Sequence, residues 1–392
     1  MKSEFNHKVY LDYAATTPMD RRVREVMEPY FADSFGNPSS THQFGQAADA
    51  AVENARQTMA EIFNCRPSEI IFTSGGSESD NLALRGTALA TRESRGANHI
   101  LISPVEHPAV SKTAEQLGEV FGFEVELLPI DEFGRVHPED VAQRLREDTA
   151  VVSVMVANNE IGTVNPVDEI GHICQEAGVP FHTDAVQAAA HMPFDLSRQE
   201  IDLVSLGAHK LYGPKGVGAL IVRQGTELLP NQTGGSQENG FRAGTSNVPY
   251  IAGQAEAFRL AHLERAQRRS KLVEMRDHLI RRVLKTVPNS QLTGHPTQRL
   301  PNHASFVFKH VDGNELLMVL DAGGFACSSG SACKTGNPEP SSVITALGIP
   351  PAWALGSLRV TLSHLTADED LEAFLEFLPE VVARVRRLGG HI

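Results

Sequence analysis

The stretch Ser205-Leu-Gly-Ala-His-Lys-Leu-Tyr-Gly-Pro-Lys-Gly-Val-Gly218 joins two apolar runs of the 392-residue chain. The first run ends at Leu206 and the second begins at Val217, and both have the composition of buried strands. Lys210 would therefore stand at the end of a buried strand, behind a histidine and ahead of a glycine-rich turn. Because burial disfavours the ammonium form, such a lysine can act as a nucleophilic amine near neutral pH. We infer that Lys210 forms a Schiff base with an aldehyde cofactor.

Strand-like and helix-like segments alternate on both sides of this stretch. The predicted strands are Ile70–Thr73, His99–Ser103, Phe123–Leu128, Ala150–Val156, Pro180–Thr183, Leu203–Leu206 and Ala219–Val222. Helical patterns fill several intervals, for example Ser79–Thr91, Pro108–Gly118 and Val167–Ala177. Continuous apolar strands that alternate with helices are typical of an α/β domain with a largely parallel sheet.

A long polar helical region, from about residue 250 to residue 285, follows this α/β part. Strands and helices continue beyond it, which predicts a second and smaller part of α+β type. A chain of this length is also too long for one small core. We expect a large domain at residues 15–260, and a small domain built from residues 1–14 and 261–392.

Composition and charge exclude several classes of function. The chain has 48 acidic and 35 basic residues, a net charge of −13, which argues against binding of nucleic acid or anionic lipid. It has no apolar run of bilayer length and no signal-peptide core at its start, so we expect a cytoplasmic protein. The four cysteines, Cys65, Cys174, Cys327 and Cys333, lack zinc-ligand spacing, and we expect free thiols and no metal site.

Polar residues follow several predicted strands, where α/β proteins bind their ligands. Gly75 and Gly76 lie between a strand and a helix start and could bind phosphate, although an ordinary capped turn has the same pattern. Asp184 would be a buried carboxylate that needs a cation, such as a pyridinium nitrogen, or else a helix N-cap. Gln187 follows at a spacing that could reach a phenolic oxygen. His107 could lie on a cofactor ring and move protons, or it could be structural.

The segment Gly324–Gly336 is small, polar and glycine-rich, and it contains Cys333 beside Lys334. A neighbouring lysine favours the thiolate form, so Cys333 could be reactive or an incidental surface thiol. Cys327 is better explained as a small core residue. Arg359 lies in an apolar strand and requires an anion, which a substrate carboxylate or an internal ion pair could supply equally well.

Taken together, these segments resemble the cysteine desulfurases, the NifS/IscS-like group of the class-V aminotransferase-like family. The similar segments cover nearly the whole chain: Leu11–Thr17, Phe35–Ser40, Thr73–Asn81, Glu106–His107, Asn158–Gly162, His182–Gln187, His209–Gly216, Arg242–Thr245 and Ser328–Cys333. The resemblance implies the pyridoxal-phosphate-dependent transferase fold of type I. This fold would have a large domain with a mainly parallel seven-stranded sheet and a smaller α+β domain that carries the Cys333 segment.

The resemblance also implies a role for each residue that matches the family pattern. The residues that would hold pyridoxal 5'-phosphate are Lys210, Asp184, Gln187, Gly76, Ser77, His209, Asn159 and, from the second subunit of a homodimer, Thr245. Those that would hold the substrate carboxylate are Arg359, Asn37 and Asn159. Those that would carry out the chemistry are Lys210, His107 and Cys333. Where the family often has a phosphate-binding serine, this chain has Gly207.

The implied reaction removes sulfur from L-cysteine, giving L-alanine and a persulfide on Cys333. The persulfide would pass to a sulfur-acceptor or scaffold protein, for iron–sulfur clusters or other uses, and transient ligation of such a cluster by Cys333 stays open. A selenocysteine lyase or an aminotransferase on the same fold is the alternative enzyme. A non-catalytic persulfide carrier, which would need no cofactor lysine, is the alternative of another class.

Overall fold

The computed structural model describes residues 8–329 and 340–389. The strands are β1 (Val9–Tyr10), β2 (Ile70–Thr73), β3 (His99–Ile102), β4 (Glu124–Leu127), β5 (Thr149–Ser153), β6 (Phe181–Asp184), β7 (Leu203–Gly207), β8 (Gly218–Val222), β9 (Ser290–Leu292), β10 (His303–Phe308), β11 (Phe325–Ala326) and β12 (Ser357–Thr361). The α-helices are α1 (Arg21–Met27), α2 (Pro29–Ala32), α3 (Gln43–Phe63), α4 (Gly76–Arg95), α5 (Pro108–Phe121), α6 (Pro138–Arg144), α7 (Val167–Glu176), α8 (Val248–Thr286), α9 (Gly313–Ala322), α10 (Ser342–Ala346), α11 (Pro351–Ala354) and α12 (Asp368–Leu388). Within these ranges, none of the helices has the length and apolarity needed to cross a membrane.

The largest sheet has seven strands in the order β2-β8-β7-β6-β5-β3-β4. Strand β8 runs antiparallel to both of its neighbours, and the other neighbouring pairs are parallel. This confirms the predicted α/β fold with a mainly parallel seven-stranded sheet. The carboxyl ends of β2, β3, β5, β6 and β7 meet at one edge, which is the edge where ligands bind in such sheets.

Helices cover both faces of this sheet. Leu203 of β7 lies in one apolar cluster with Leu82 of α4. The next residue, Val204, lies in another cluster with Phe63 of α3 and Phe258 of α8. Successive side chains of a strand point to opposite faces, so both faces of β7 are buried. This burial explains why the strands are continuous apolar runs in the sequence.

A second core packs around the antiparallel sheet β12-β10-β9. It contains side chains from α9, α12 and the C-terminal part of α8, together with Val9 and Leu11 from the start of the described chain. Strand β1 joins this part by pairing in parallel with β11. Helix α8 contributes to both cores, through Phe258 in the first and Leu279 in the second. The domain boundaries given above stay a prediction.

Candidate active site

A cavity of about 310 Å³ lies at the carboxyl edge of the large sheet. It brings together most of the residues expected to hold a cofactor or a substrate. Those that line it are Gly76, Ser77, His107, Asn159, Asp184, Gln187, His209, Lys210 and Arg359. Residues without an expected role also line it: Ala14, Ala15, Asp80, Met155 and Val186.

Lys210 follows β7, as the sequence predicts, and its side chain reaches into the cavity. Its Nζ donates hydrogen bonds to the carbonyl oxygens of Ala14, at 2.5 Å, and Ala15, at 2.8 Å. Burial, helped by the nearby charge of Arg359, lowers the pKa of Lys210 to about 8. The amine is therefore partly unprotonated near neutral pH, as a nucleophile requires.

The N-terminal segment fixes the turn that carries Lys210. The Thr17 hydroxyl accepts from the N–H of Tyr212 at 2.7 Å, and the Thr17 N–H donates to the carbonyl of His209 at 3.0 Å. The N–H of Asp20 donates to the carbonyl of Tyr212 at 2.9 Å. Tyr212 has a φ of 66°, a left-handed conformation that bulky side chains rarely adopt. These hydrogen bonds hold the strained residue and thereby the position of Lys210.

Asp184 is the last residue of β6 and is 5% exposed. Its Oδ1 accepts the backbone N–H of Val186 at 2.8 Å. Burial raises the pKa of this carboxyl, while the Val186 N–H and the neighbouring side chains of His107 and Lys210 oppose the rise. A buried carboxylate in this position is stabilised by a cation in the cavity, and a pyridinium nitrogen is such a cation.

His107 combines both roles that the sequence left open. It is the N-cap of α5, where its Nδ1 accepts the N–H of Ala109 at 3.1 Å, and it also lines the cavity. Burial lowers the pKa of His107, so the ring is neutral at pH 7. Since Nδ1 is an acceptor, the neutral ring carries its proton on Nε2.

The start of α4 is shaped to receive a phosphate. The helix begins at Gly76, where first-turn amides have no intrahelical acceptor and the helix dipole favours an anion. A Cβ at Gly207 would lie 3.6 Å from the N atom of Gly76, so the glycine leaves the space in front of this amide open. His209 lines the same cavity, and its Nδ1 lies 3.2 Å from the Thr16 hydroxyl. Burial lowers the pKa of His209 to about 4, which makes it a neutral hydrogen-bonding group.

The amide of Gln187 is oriented by the main chain. Its Nε2 donates to the carbonyl of Ala14 at 2.8 Å, which is the same oxygen that accepts from Lys210. An amide nitrogen has two hydrogens, so one remains for a phenolic oxygen in the cavity. The donors and the anion that line the cavity therefore fit pyridoxal phosphate.

Arg359 both forms an internal ion pair and lines the cavity. Its Nη2 donates to Oδ1 of Asp12 at 2.8 Å, and its Nη1 donates to the carbonyl oxygen of Asn159 at 2.9 Å. A guanidinium has five N–H groups, so others remain for a substrate carboxylate. Sequence reasoning gave no role to Asp12, nor to the carbonyls of Ala14 and Ala15. The Leu11–Thr17 match was their only signal.

Two predicted site residues, Asn37 and Thr245, do not line the cavity of the described chain. Asn37 is exposed, and its Oδ1 accepts the N–H of Ser39 at 3.0 Å. Thr245 is also exposed. Cys333 lies outside the described residues. Burial raises the pKa of each cysteine that the structure describes, to about 12 for Cys65 and Cys174 and above its usual range for Cys327.

The chain is similar to proteins of known family over nearly its whole length. The family model described as aminotransferase class-V matches residues 9–374. A protein named cysteine desulfurase IscS from Dictyoglomus turgidum is 46% identical over 98% of this chain and 97% of its own length. One of the same name from Methanosarcina thermophila is 45% identical over 98% of this chain and 94% of its own length.

Solved structures show the same relationship. A NifS-like protein superposes with a TM-score of 0.89 at 34% identity, covering 96% of this chain and all (100%) of that one. A structure described as SspA in complex with cysteine has a TM-score of 0.79 at 34% identity, covering 92% of this chain and 100% of that one. The chain thus belongs to the class-V aminotransferase family and, within it, to the NifS/IscS-like cysteine desulfurases, which are pyridoxal-phosphate-dependent enzymes of fold type I.

Proposed function

We propose that this protein removes sulfur from L-cysteine, forming L-alanine and leaving a persulfide on Cys333. The observation that carries the proposal is the content of one cavity: an amine with a lowered pKa, a buried carboxylate and a guanidinium, from Lys210, Asp184 and Arg359. The similar proteins named cysteine desulfurase, and the similar structure described as a complex with cysteine, support this choice of substrate.

Pyridoxal phosphate, when bound, supplies an electron sink for the charge that develops on the substrate's Cα. We assign Asp184 to the ring nitrogen, His107 to the face of the ring and Gln187 to the phenolic oxygen. The phosphate group would meet the amide end of α4 at Gly76 and Ser77, together with His209. The second subunit would add Thr245.

Lys210 is the group that moves the proton from Cα. Its pKa of about 8 lets the amine accept a proton near neutral pH, and the resulting ammonium has acceptors in the Ala14 and Ala15 carbonyls. These two oxygens lie within hydrogen-bond distance of Nζ, so they stabilise the side chain in its protonated form. His107, with its proton on Nε2, is placed to return a proton on the ring side.

Arg359 orients the substrate through its carboxylate. Asp12 and the Asn159 carbonyl hold two of its N–H groups, so the guanidinium plane is fixed before the substrate arrives. A fixed guanidinium loses little freedom when it binds a carboxylate. Asn37 would complete this site only after its exposed turn approaches the cavity, either from the same chain or from the second subunit.

Cys333 is the proposed nucleophile. Its thiolate attacks the sulfur of the substrate, an S–S bond forms, and the Cβ–S bond breaks with its electron pair left on the three-carbon fragment. Protonation of this fragment at Cβ leads to alanine. The described cysteines are poor alternatives because burial raises their pKa values, and a thiolate is required. The persulfide sulfur would then pass to a thiol of an acceptor protein, for iron–sulfur clusters or other uses.

A homodimer would complete this site. Thr245 is exposed and does not line the cavity of its own chain, so we assign it to the phosphate of a second subunit. Phe31, Phe35 and Phe44 are 53%, 68% and 57% exposed, and the rings of Phe35 and Phe44 lie 5.6 Å apart. Exposed aromatic clusters of this kind mark interfaces. This surface adjoins Asn37, which would bring the second subunit to the substrate end of the site.

The test is a product measurement. The purified protein is incubated with L-cysteine and a thiol reductant, and alanine and sulfide are quantified with and without prior alkylation of thiols. Equal amounts of alanine and sulfide, lost on alkylation and in Cys333→Ala, are expected. Alanine formation that survives alkylation would refute the thiol step. A protein that binds no visible chromophore would support the carrier alternative instead.

A further inference from the structure

Three carboxyl groups are buried together at the end of the cavity assigned to the cofactor's ring nitrogen. Asp184 is 5% exposed, Asp80, the fifth residue of α4, is 1% exposed, and Glu106 is 6% exposed. Asp80 and Asp184 both line the cavity. Only Asp184 has an assigned role, so the other two carboxyl groups require an explanation.

Asp80 and Glu106 each have a buried oxygen without a hydrogen-bond partner among the described residues: Oδ1 of Asp80 and Oε2 of Glu106. The other oxygen of Glu106, Oε1, accepts the N–H of Met155 at 2.6 Å. An ionised carboxylate with an unpaired oxygen in a buried site is strongly unfavourable, whereas a neutral acid is much less costly. Neighbouring carboxylates repel one another, so this arrangement favours a single negative charge on only one of the three groups.

A buried chain of polar side chains leads from Asp80 along the neighbouring strands. His182 Nδ1 lies 2.8 Å from the Ser153 hydroxyl, and His182 Nε2 lies 2.9 Å from the Ser205 hydroxyl. Oδ1 of Asp80 lies 3.7 Å from the same Nε2. Ser205 is the register partner of Asp184 on the adjacent strand. These polar side chains therefore lie directly beside Asp184, on the same face of the sheet.

We propose that Asp80 is a positioning residue of the cofactor site. It is a neutral acid next to Ser205 and His182, and it fixes Asp184 as the single anion that faces the ring nitrogen. Glu106 is the second neutral acid of this group. The inference rests on the proposed function, because the ring nitrogen is that of pyridoxal phosphate. As a consequence, the ring nitrogen of the cofactor would face one full negative charge in one fixed place.

The electrostatics of the surrounding groups agree with this assignment. Burial and the charge of Asp184 raise the pKa of Asp80 well above its usual value, and a hydrogen bond from Ser205 opposes this rise only in part. Burial does the same to Glu106. His182 has its pKa lowered to about 3 by burial, so it gives Asp80 no positive charge. Asp184, in contrast, accepts the N–H of Val186 and lies near His107 and Lys210, and these groups oppose the rise of its pKa.

The test compares Asp80→Asn with Asp80→Ala in the cofactor-loaded protein and in its apo form. Asparagine keeps the shape and a donor and is also neutral, whereas alanine removes both. Asp202→Asn is the matched control, because Asp202 is a half-buried carboxyl that binds the Phe181 N–H at the opposite end of the same strands. The readouts are the infrared band of buried carboxylic acids, the pH midpoint of the bound cofactor's visible absorbance, and the dissociation constant of the cofactor.

We expect Asp80→Asn to lose carboxylic-acid intensity and to move the pH midpoint by less than about 0.3 units, since no charge changes. Asp80→Ala should weaken cofactor binding by about tenfold or more, and asparagine should largely restore it. A midpoint shift of about one unit in Asp80→Asn would show a charged Asp80 and overturn the proposal. Unchanged cofactor binding in Asp80→Ala would overturn it as well.

Two further outcomes separate a failure of the role of Asp80 from a failure to fold and from a failure of the proposed function. If Asp80→Ala fails to fold, Ser205→Ala removes the next side chain of the same polar network and should weaken cofactor binding. Normal cofactor binding in Ser205→Ala would count against a role of this network. If the unsubstituted protein shows no visible absorbance with pyridoxal phosphate, the proposed function itself fails. An intact band with the wrong response to Asp80→Asn refutes only the further inference.

Discussion

The pKa of Lys210 gives the sharpest quantitative prediction of the site. With a pKa of about 8, about one amine in eleven is unprotonated at pH 7 and about half at pH 8. For an ordinary lysine, with a pKa of about 10.4, roughly one amine in 2,500 would be unprotonated at pH 7. Capture of the cofactor aldehyde by the apoprotein should therefore accelerate almost tenfold from about pH 6 to pH 7 and level off above about pH 8.

Two substitutions should move this profile in opposite directions. The positive charge of Arg359 lowers the pKa of Lys210 and the negative charge of Asp12 raises it. Arg359→Gln should shift the midpoint to higher pH, and Asp12→Asn should shift it to lower pH. A shift of one unit corresponds to about 1.4 kcal/mol in the ionisation of the lysine.

The assay mixes apoprotein with pyridoxal phosphate and follows the growth of the visible band at each pH. The rate of a simple amine with the same cofactor corrects for the cofactor's own titration, and Lys210→Ala is the blank. A rate that keeps rising to about pH 10 would show an ordinary lysine and refute the reasoning. Shifts of the same sign in the two variants would refute the assignment of the neighbouring charges.

Three other predictions test separate parts of the molecule. Gly207→Ser would place a hydroxyl near the first amide of α4, although its Cβ would lie 3.3 Å from Cγ1 of Val186, so Gly207→Ala is the control for that contact. The serine variant should bind the cofactor about fivefold more tightly than the alanine variant in fluorescence titrations, and equal or weaker binding would show that this space does not adjoin the phosphate. Mixed dimers of Thr245→Ala and Lys210→Ala subunits should recover activity that neither homodimer has, and no recovery would argue against a shared site. Glu238→Gln breaks a buried ion pair with Arg56, at 2.9 Å, and should lower the free energy of unfolding by about 3–5 kcal/mol in urea titrations; a loss below about 1 kcal/mol would show that the pair is not structural.

The large sheet could be predicted because its strands are buried on both faces. Each strand predicted for this sheet is present within a few residues of the predicted bounds, for example Leu203–Leu206 against β7, Leu203–Gly207. Strand β9 was not predicted, because two of its three residues are only partly buried, the middle one is exposed, and they form no apolar run. Strand β1 pairs with β11 more than three hundred residues away, and nothing local in the sequence indicates this pairing.

The site could be predicted where a side chain carries its chemistry and follows a strand, as in Asp184 and Lys210. It could not be predicted where the acceptor is a main-chain carbonyl, as in Ala14, since every residue type has this carbonyl group. Asp12 was missed because a bridge to Thr361, at the other end of the chain, brings it to Arg359. Long-range pairing of this kind has no local sequence signal.

The central claim is that Cys333 accepts sulfur from L-cysteine on the cofactor site of this chain. The most direct test is one turnover without reductant, followed by alanine quantification and mass spectrometry of the peptide that contains Cys333. We predict one alanine for each Cys333 peptide that gains one sulfur atom, and neither product in Lys210→Ala. Alanine formed at an unchanged rate in Cys333→Ala, or sulfur found on Cys65, Cys174 or Cys327 instead, would contradict the account.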